Sequence, residues 1–299
     1  MTIGLIGLGK MGVNLALNMK LKGNRVVGFD IDPDKVKEAQ QKGLEIAYSE
    51  DKLAAGIGSS KILWLMVPAG HTVDSILEEW LPRLQKNDII IDAGNSFYKD
   101  SIRRYQMMKE HGVGYLDAGI SGGVEGARNG VCSMVGGDRD VYDQVSGLFR
   151  QISVENGYLY TGPIGSGHFA KMVHNGIEYG MLQAIGEGFE ILNASNYTYD
   201  YEKLAELWNH GSVIRGWLMS LTADAFQKDA NLSNIRGVID SNGEGLWSAQ
   251  EALNLKVPAP IIAISVMMRY RSKQEDSFSG KVIAALRNEF GGHAVQEKK

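Results

Sequence analysis

The chain has 299 residues, with 31 Lys+Arg against 35 Asp+Glu for a formal charge of −4, and 44% apolar and 22% charged residues. These proportions exclude wholesale disorder, collagen and a disulfide-knotted miniprotein, and the length suggests two domains of about 100–150 residues each. The mild acidic balance leaves no electrostatic footprint for nucleic acid, and the single cysteine, Cys132, permits neither an internal disulfide nor a thiolate metal site.

In chain order, Thr2–Ile6 already reads as a strand, so no leader is expected. Strands Arg25–Phe29, Leu44–Ile46, Ile62–Val67, Ile89–Asp92, Tyr115–Asp117 and Ser133–Val135 follow, with helical patterns Met11–Lys22, Pro33–Lys42, Thr72–Leu84, Tyr98–His111 and Val141–Arg150 between them. Asp32 before Pro33 is an N-cap with proline at the first helical position, and Ser49 is a weaker cap. Strands alternating with helices at this spacing predict a parallel sheet covered on both faces. After Thr161-Gly162-Pro163 the pattern turns wholly helical: one helix from Ile164 to about Ala194, then Tyr201–His210, Ile214–Lys228, Ser248–Leu253, Pro260–Arg271 and Phe278–Phe290. The expected architecture is an α/β doubly wound domain over residues 1–162 followed by an all-α domain over 163–299. The longest apolar stretch, Val257–Met268, has 12 residues and includes Pro258, Pro260 and Ser265, short of the about 20 a membrane span needs. A cytoplasmic protein without membrane partners is expected.

Glycine is the compositional departure: 37 residues, 25 of them in residues 1–167 and 12 in 168–299. Gly7-Leu8-Gly9-Lys10-Met11-Gly12 forms a G-x-G-x-x-G directly after a strand and opening a helix. In that context the first glycine allows the tight turn, the second lets a pyrophosphate approach the backbone, and the third lets helix and strand pack closely. The helix start supplies N–H groups and a positive dipole end. Asp30 ends the second strand 18 residues past Gly12, where a carboxylate accepts ribose hydroxyls and repels a 2′-phosphate. Ile31 and Asp32 follow in place of an arginine. NAD is therefore expected over NADP.

The long helix carries the chemistry. With about 100° per residue, Asn175 lies at about 40° from Lys171, Glu178 at about −20° and His174 at about −60°. These four polar side chains share one stripe, while Met172, Val173, Ile177, Met181 and Leu182 occupy the other faces. A helix apolar on its other sides is expected to be buried, which would place the stripe in a cleft. A desolvated lysine can act there as a base, and a carboxylate as an acid. Read alone, His174 is equally well a packing or hydrogen-bonding histidine.

These residues resemble the β-hydroxyacid dehydrogenases, and within them the 6-phosphogluconate dehydrogenases, over the whole chain. Ile91-Asp92-Ala93-Gly94-Asn95-Ser96 is similar to the segment ending in the family's substrate- and cofactor-contacting Asn. Gly119-Ile120-Ser121-Gly122-Gly123 is similar to its substrate-binding loop, and Lys171 to Tyr179 to the helix bearing its catalytic pair. The resemblance implies NAD-dependent oxidative decarboxylation of 6-phosphogluconate, a pentose phosphate pathway reaction, in a chain of the shorter bacterial form. It further implies Lys171 as base and acid, Glu178 as acid and Asn175 beside them. Gly7, Gly9, Lys10, Met11, Gly12, Asp30, Val67 and Asn95 would hold the cofactor. Asn95, Ser121, Gly122, Gly123, His174, Asn175, Tyr179, Arg215, Arg287 and His293 would hold the substrate. In the family, the Arg and His of the tail reach a neighbouring subunit's site, so a homodimer or homotetramer is implied. No metal is implied. The long enzymes carry K-G-T-G-K-W-T where this chain has Asn242-Gly243-Glu244-Gly245-Leu246-Trp247-Ser248, without either lysine. Two other readings exist: a 3-hydroxyisobutyrate-type dehydrogenase without decarboxylation, against which Glu178-Tyr179, Arg287 and His293 argue, and a silent NAD-binding sensor, against which Lys171, Asn175 and Glu178 argue.

Overall fold

Runs such as Leu63-Trp64-Leu65 and Ile89-Ile90-Ile91 form strands because a sheet covered on both faces buries every residue of a continuous apolar segment. The computed structural model describes residues 1–296 and divides into two units, Met1–Asn175 and a second beginning at Gly176. The first unit contains β1 (Thr2–Ile6), α1 (Lys10–Leu21), β2 (Arg25–Phe29), α2 (Pro33–Gln41), β3 (Glu45–Ile46), α3 (Glu50–Ile57), β4 (Ile62–Leu65) and α4 (His71–Trp80). It continues with β5 (Ile89–Asp92), α5 (Tyr98–Glu110), β6 (Gly114–Ser121), α6 (Gly123–Asn129), β7 (Val131–Gly137), α7 (Arg139–Ile152) and β8 (Ser153–Gly162). The opening turns of α8 (Ser166–Ala194) complete it.

The eight strands lie in the order β3-β2-β1-β4-β5-β6-β7-β8. The first six positions of that order are those of a dinucleotide-binding sheet, whose ligands lie beyond the carboxyl ends of the strands, where the order reverses between β1 and β4. One core covers each face. On one side Leu15, Met19, Trp64 and Phe149 are buried, and on the other Leu53, Leu77, Trp80 and Met108. The expected caps form: Asp32 accepts the Asp34 N–H at 3.0 Å and Ser49 the Lys52 N–H at 3.2 Å.

The sheet departs from the sequence reading in two ways. β7 runs antiparallel to β6 rather than parallel. Only Gly122 to Gly130 connect them, with α6 seven residues long, and a parallel crossover needs a dozen residues or more. β8 was not anticipated at all. It is an edge strand, with Val154 and Leu159 exposed and an irregular register against β7, so it lacks the buried apolar run that marks the inner strands.

The second unit contains the rest of α8 with α9 (Tyr201–Asn209), α10 (Trp217–Lys228), α11 (Gly243–Asn254), α12 (Pro260–Arg271) and α13 (Phe278–Gly291). Its small core gathers Phe189, Ala205, Met219, Ala223 and Phe226. The sequence pattern starts α11 five residues late, at Ser248, because Gly243 and Gly245 look like helix breakers. Both are in the helix, each beneath an aromatic ring, Trp247 and Tyr179 respectively. The expectation that α8 is buried on its apolar faces holds at Met172, 2% exposed, and fails from Ile177 onward. Ile177, Met181 and Leu182 are 54%, 50% and 39% exposed, because the unit's core engages α8 only farther along, from Ile185 to Leu192.

Glu50, in the first turn of α3, has an acid pushed up to about 7 by burial and then by hydrogen bonding and charge from Glu79, against the pull of Trp80 and Arg83. The folded state thus holds this proton more tightly than the unfolded chain, whose Glu titrates near 4.5. Stability is therefore full below that value and declines as pH rises to about 7. Urea unfolding across pH 4 to 8 should show this decline in the wild type and a flatter profile in Glu50→Gln.

Candidate active site

The turn after β1 is shaped for an anion. Gly7 has φ +100°, a left-handed conformation that favours glycine, and a Cβ there would lie 2.9 Å from Val67 Cγ1 and collide with the Met66 carbonyl. A Cβ on Gly12 would overlap the Gly7 carbonyl oxygen. Around Gly9 the situation is opposite: an added Cβ would meet nothing within 4 Å. This open face lies at the start of α1, which has no acidic residue in its first turn and no side-chain cap on Gly9. Lys10, Met11 and Gly12 thus present N–H groups and the positive end of the helix dipole, an arrangement that fits a pyrophosphate. Asp30 accepts the Leu8 N–H at 2.7 Å and the Asp32 N–H at 2.9 Å, with Lys35 Nζ 4.0 Å away. Its carboxylate is fastened to the glycine turn and keeps lone pairs for hydroxyl donors. Val67 borders Gly7, and a Cβ on Gly94 would lie 2.7 Å from the Val67 carbonyl oxygen, so the loops after β1, β4 and β5 converge. Asn95, beside Gly94, is exposed there.

The first turns of α8 are locked to β6. The buried Asp117 carboxylate accepts the Gly165 N–H at 2.8 Å and the His168 N–H at 2.7 Å, holding the orphan donors of the helix start. Burial raises the Asp117 acid, while His168 and these N–H groups pull it down. His168 Nδ1 pairs with Ser101 Oγ at 2.7 Å. Two residues along β6, a Cβ on Gly119 would collide with Lys171 Cβ and lie 3.0 Å from the Gly167 carbonyl oxygen, so Lys171 can rest on the strand only where glycine is. Lys171, 7% exposed, donates to Asn175 Oδ1 at 2.9 Å. His174 Nδ1 meets the same oxygen at 2.9 Å, and its Nε2 meets Ser121 Oγ at 3.2 Å. Gly122 follows with φ +118° and ψ 0° at the N-cap of α6, turning the Ser121-Gly122-Gly123 backbone over at the same strand end. His174 is accordingly bonded to polar partners at both ring nitrogens.

In the second unit Tyr179 is buried and accepts the Asn242 N–H at 3.1 Å on its hydroxyl. Its phenol is raised by burial, against the Asn242 N–H and Arg269, whose guanidinium carbon lies 3.5 Å from the ring centroid. The sequence reading did not single out Arg269. A cation at the end of the apolar run Ile261–Met268 was the available signal. Glu244 is buried on α11. Glu178 adjoins Tyr179 on α8. Arg215 is exposed and donates to the Ser212 carbonyl at 3.0 Å, while Arg287 and His293 are exposed on α13 and just after it. The structure therefore joins Lys171, His174, Asn175 and Ser121 directly, and leaves Arg215, Arg287 and His293 on the surface of a single chain.

Comparison with known proteins agrees with this geometry. The model for the NAD binding domain of 6-phosphogluconate dehydrogenase matches residues 2–162, and that for the 6-phosphogluconate dehydrogenase C-terminal domain matches residues 167–299. A Bacillus subtilis protein provisionally named 6-phosphogluconate dehydrogenase is 56% identical over 298 residues, covering 100% of both chains. The NAD(+)-dependent, decarboxylating 6-phosphogluconate dehydrogenase of Haloferax volcanii is 40% identical, covering 100% of this chain and 99% of the relative. Among solved structures, a Plasmodium falciparum 6-phosphogluconate dehydrogenase, studied with NADP+ and with 6-phosphogluconate, has a TM-score of 0.84 at 31% identity, covering 100% of this chain and 66% of its own.

The seating of α8 on β6 makes a contrast that unfolding can measure. Gly119→Ala should lower the unfolding free energy by about 1–3 kcal/mol, the usual cost of overpacking. Gly147→Ala, in α7 with open space around its Cβ, should raise it by about 0.5–1 kcal/mol. Equal effects would refute the tight seating.

Proposed function

The chain belongs to the 6-phosphogluconate dehydrogenase family, and we propose that it is an NAD-dependent, decarboxylating member converting 6-phosphogluconate to ribulose 5-phosphate and carbon dioxide. The observation that carries the reading is the Lys171–Asn175–His174–Ser121 chain of hydrogen bonds at the end of β6, buried at Lys171 and Asn175 and half-buried at His174 and Ser121, in the same unit as the glycine turn. The dinucleotide, held by Gly7, Gly9, Lys10, Met11, Gly12, Asp30, Val67 and Asn95, supplies the acceptor for the hydride leaving C3. Asp30, with no arginine beside it, favours NAD over NADP.

Lys171, neutral when substrate binds, takes the proton of the C3 hydroxyl as C3 is oxidised. The product is a β-keto acid, so the C1–C2 bond breaks readily, releasing carbon dioxide and leaving its electron pair as an enolate. Protonated Lys171 stabilises the enolate oxygen. Asn175, accepting from both Lys171 and His174, orients that ammonium. Glu178, two turns farther along the same helix, delivers the proton to the carbon that becomes C1 of ribulose 5-phosphate, giving the two groups distinct roles. Ser121, Gly122 and Gly123 line the substrate beside His174. Tyr179, Arg215 and, in place of the missing lysines, Arg269 on the Tyr179 ring hold the phosphate end.

The active form is proposed to be a homodimer or a pair of dimers. No residue of α13 is buried in one chain, and Phe278, Ile283, Leu286 and Phe290 are exposed on it, as are Ile177 and Met181 on α8, apolar surface suited to another copy. Arg287 and His293 would then complete the neighbour's site.

Three experiments test these readings. In a panel of 6-phosphogluconate, gluconate and 3-hydroxyisobutyrate with NAD and NADP, 6-phosphogluconate with NAD should give NADH and carbon dioxide fastest. Lys171→Ala should lose turnover while retaining NADH binding. For the shared site, Lys171→Ala and Arg287→Ala proteins, each inactive alone, should regain activity after their subunits are mixed and exchanged. Continued inactivity in exchanged hybrids would exclude a site built from two chains.

A further inference from the structure

A single buried arginine ties together the loops that follow β4 and β5. Arg104, on α5, is fully buried, and its guanidinium makes four sets of contacts. Nε donates to Asp74 Oδ1 on α4 at 2.8 Å. Nη2 donates to the Gly70 carbonyl in the loop between β4 and α4 at 2.9 Å. Nη1 donates to Ser96 Oγ at 3.2 Å and to Asp92 Oδ2, at the end of β5, at 3.4 Å. Asp92 is itself fully buried. It accepts the Ser96 hydroxyl at 2.8 Å, the Tyr115 hydroxyl at 2.9 Å and, through Oδ1, the Gly94 N–H at 3.3 Å. Asn95 therefore stands between two residues, Gly94 and Ser96, that are both fastened to Asp92. The Val67 carbonyl abuts Gly94, and the Gly70 end of the same loop is held by Arg104.

We propose that Arg104 is a positioning residue that sets the Val67–Gly70 loop against the Gly94–Asn95–Ser96 turn, and so fixes where Val67 and Asn95 meet cofactor and substrate. The inference rests on the function proposed above, which assigns contacts to Val67 and Asn95, but not on any contact of Arg104 itself with either ligand. The physical case is the fork shape of the group. Four acceptors on three segments are reached by one rigid planar cation with donors pointing in different directions. A lysine presents a single compact ammonium and cannot span them. Fully buried charges need their partners, so the network has one low-energy arrangement and holds both loops in it. Misplacement of a reacting group by about 1 Å can cost on the order of a hundredfold in rate, so fixing two loops with one residue has catalytic consequences without substrate contact.

The test uses the full chain as Arg104→Ala, Arg104→Lys and Ser96→Ala. Ser96→Ala removes the Ser96 fastening of the Asn95 turn and leaves the one through Gly94 N–H and Asp92, while Arg104 keeps its pairs with Asp74, Asp92 and Gly70, so it keeps the proposal testable if the arginine variants fail to fold. Each variant is measured for thermal stability, NADH affinity by fluorescence titration, and KM and kcat for 6-phosphogluconate. Ser96→Ala should fold with a melting temperature modestly below wild type, since two buried charges each lose one partner, and should weaken NADH binding and raise KM by on the order of tenfold, within the range a displaced binding group can cost. Arg104→Lys should not restore the wild-type affinity. In Arg104→Ala, added guanidinium ion at millimolar concentration should recover NADH affinity, whereas an alkylammonium ion should not. A purely structural arginine would instead lower the melting temperature and the active fraction while leaving the NADH Kd of Ser96→Ala unchanged, and that outcome overturns the proposal. A wild-type protein that bound NADH but did not oxidise 6-phosphogluconate would defeat the proposed function while the NADH titrations still tested the positioning role.

Discussion

Everything in the site depends on how closely the start of α8 lies on β6. Helix and strand approach so tightly that Lys171 sits over Gly119, and the two donors at the helix start, Gly165 and His168, are held by Asp117 two residues earlier on the same strand. The spacing of Asp117 and Gly119 on one strand face matches the rise from the beginning of the helix to its second turn. A helix anchored at its N-terminus has little freedom in axial position or rotation, so Lys171 is held at a set point over Gly119, near the carboxyl end of β6. The same contact explains why the first unit extends to Asn175: these turns of α8 are packed as part of the sheet domain.

The cofactor side is built on the same principle of close backbone approach. Gly7, Gly12 and Gly94 each stand where a Cβ would strike a carbonyl oxygen of a neighbouring segment. Three loops at the carboxyl ends of β1, β4 and β5 are thereby brought together where the strand order reverses. Glycine excess and binding thus share one cause: backbone must come near backbone before it can come near a pyrophosphate. Gly9 is different in that its surroundings are open, so the backbone of the turn is accessible on that side.

Much of this was legible in the chain because the signals are local. A G-x-G-x-x-G between a strand and a helix, an Asp-Pro helix start and an unbroken Ile-Ile-Ile strand each act over a few residues. The long helix was legible from its length, and Lys171, His174 and Asn175 from their shared face. What escaped has tertiary causes. β8 has no buried periodicity because it is an edge. β7 reverses direction because its connection is too short to cross over. α11 begins at glycines because Tyr179 and Trp247 occupy the space their side chains would need. Arg269 stands out only once its guanidinium is found on the Tyr179 ring, and Arg104 only once four acceptors from distant segments surround it.

By itself, the sequence determined the two-part architecture, the dinucleotide turn and the set of polar residues on α8, since periodicity, turn chemistry and motif spacing operate within a few residues of chain. The tertiary structure alone decided which of those residues are joined. Ser121 and His174 are 53 positions apart, and Asp117 and His168 are 51 apart. No local preference encodes such pairings; they exist because the packing of a buried sheet against a helix brings those atoms within hydrogen-bonding distance and excludes the water that would otherwise serve them.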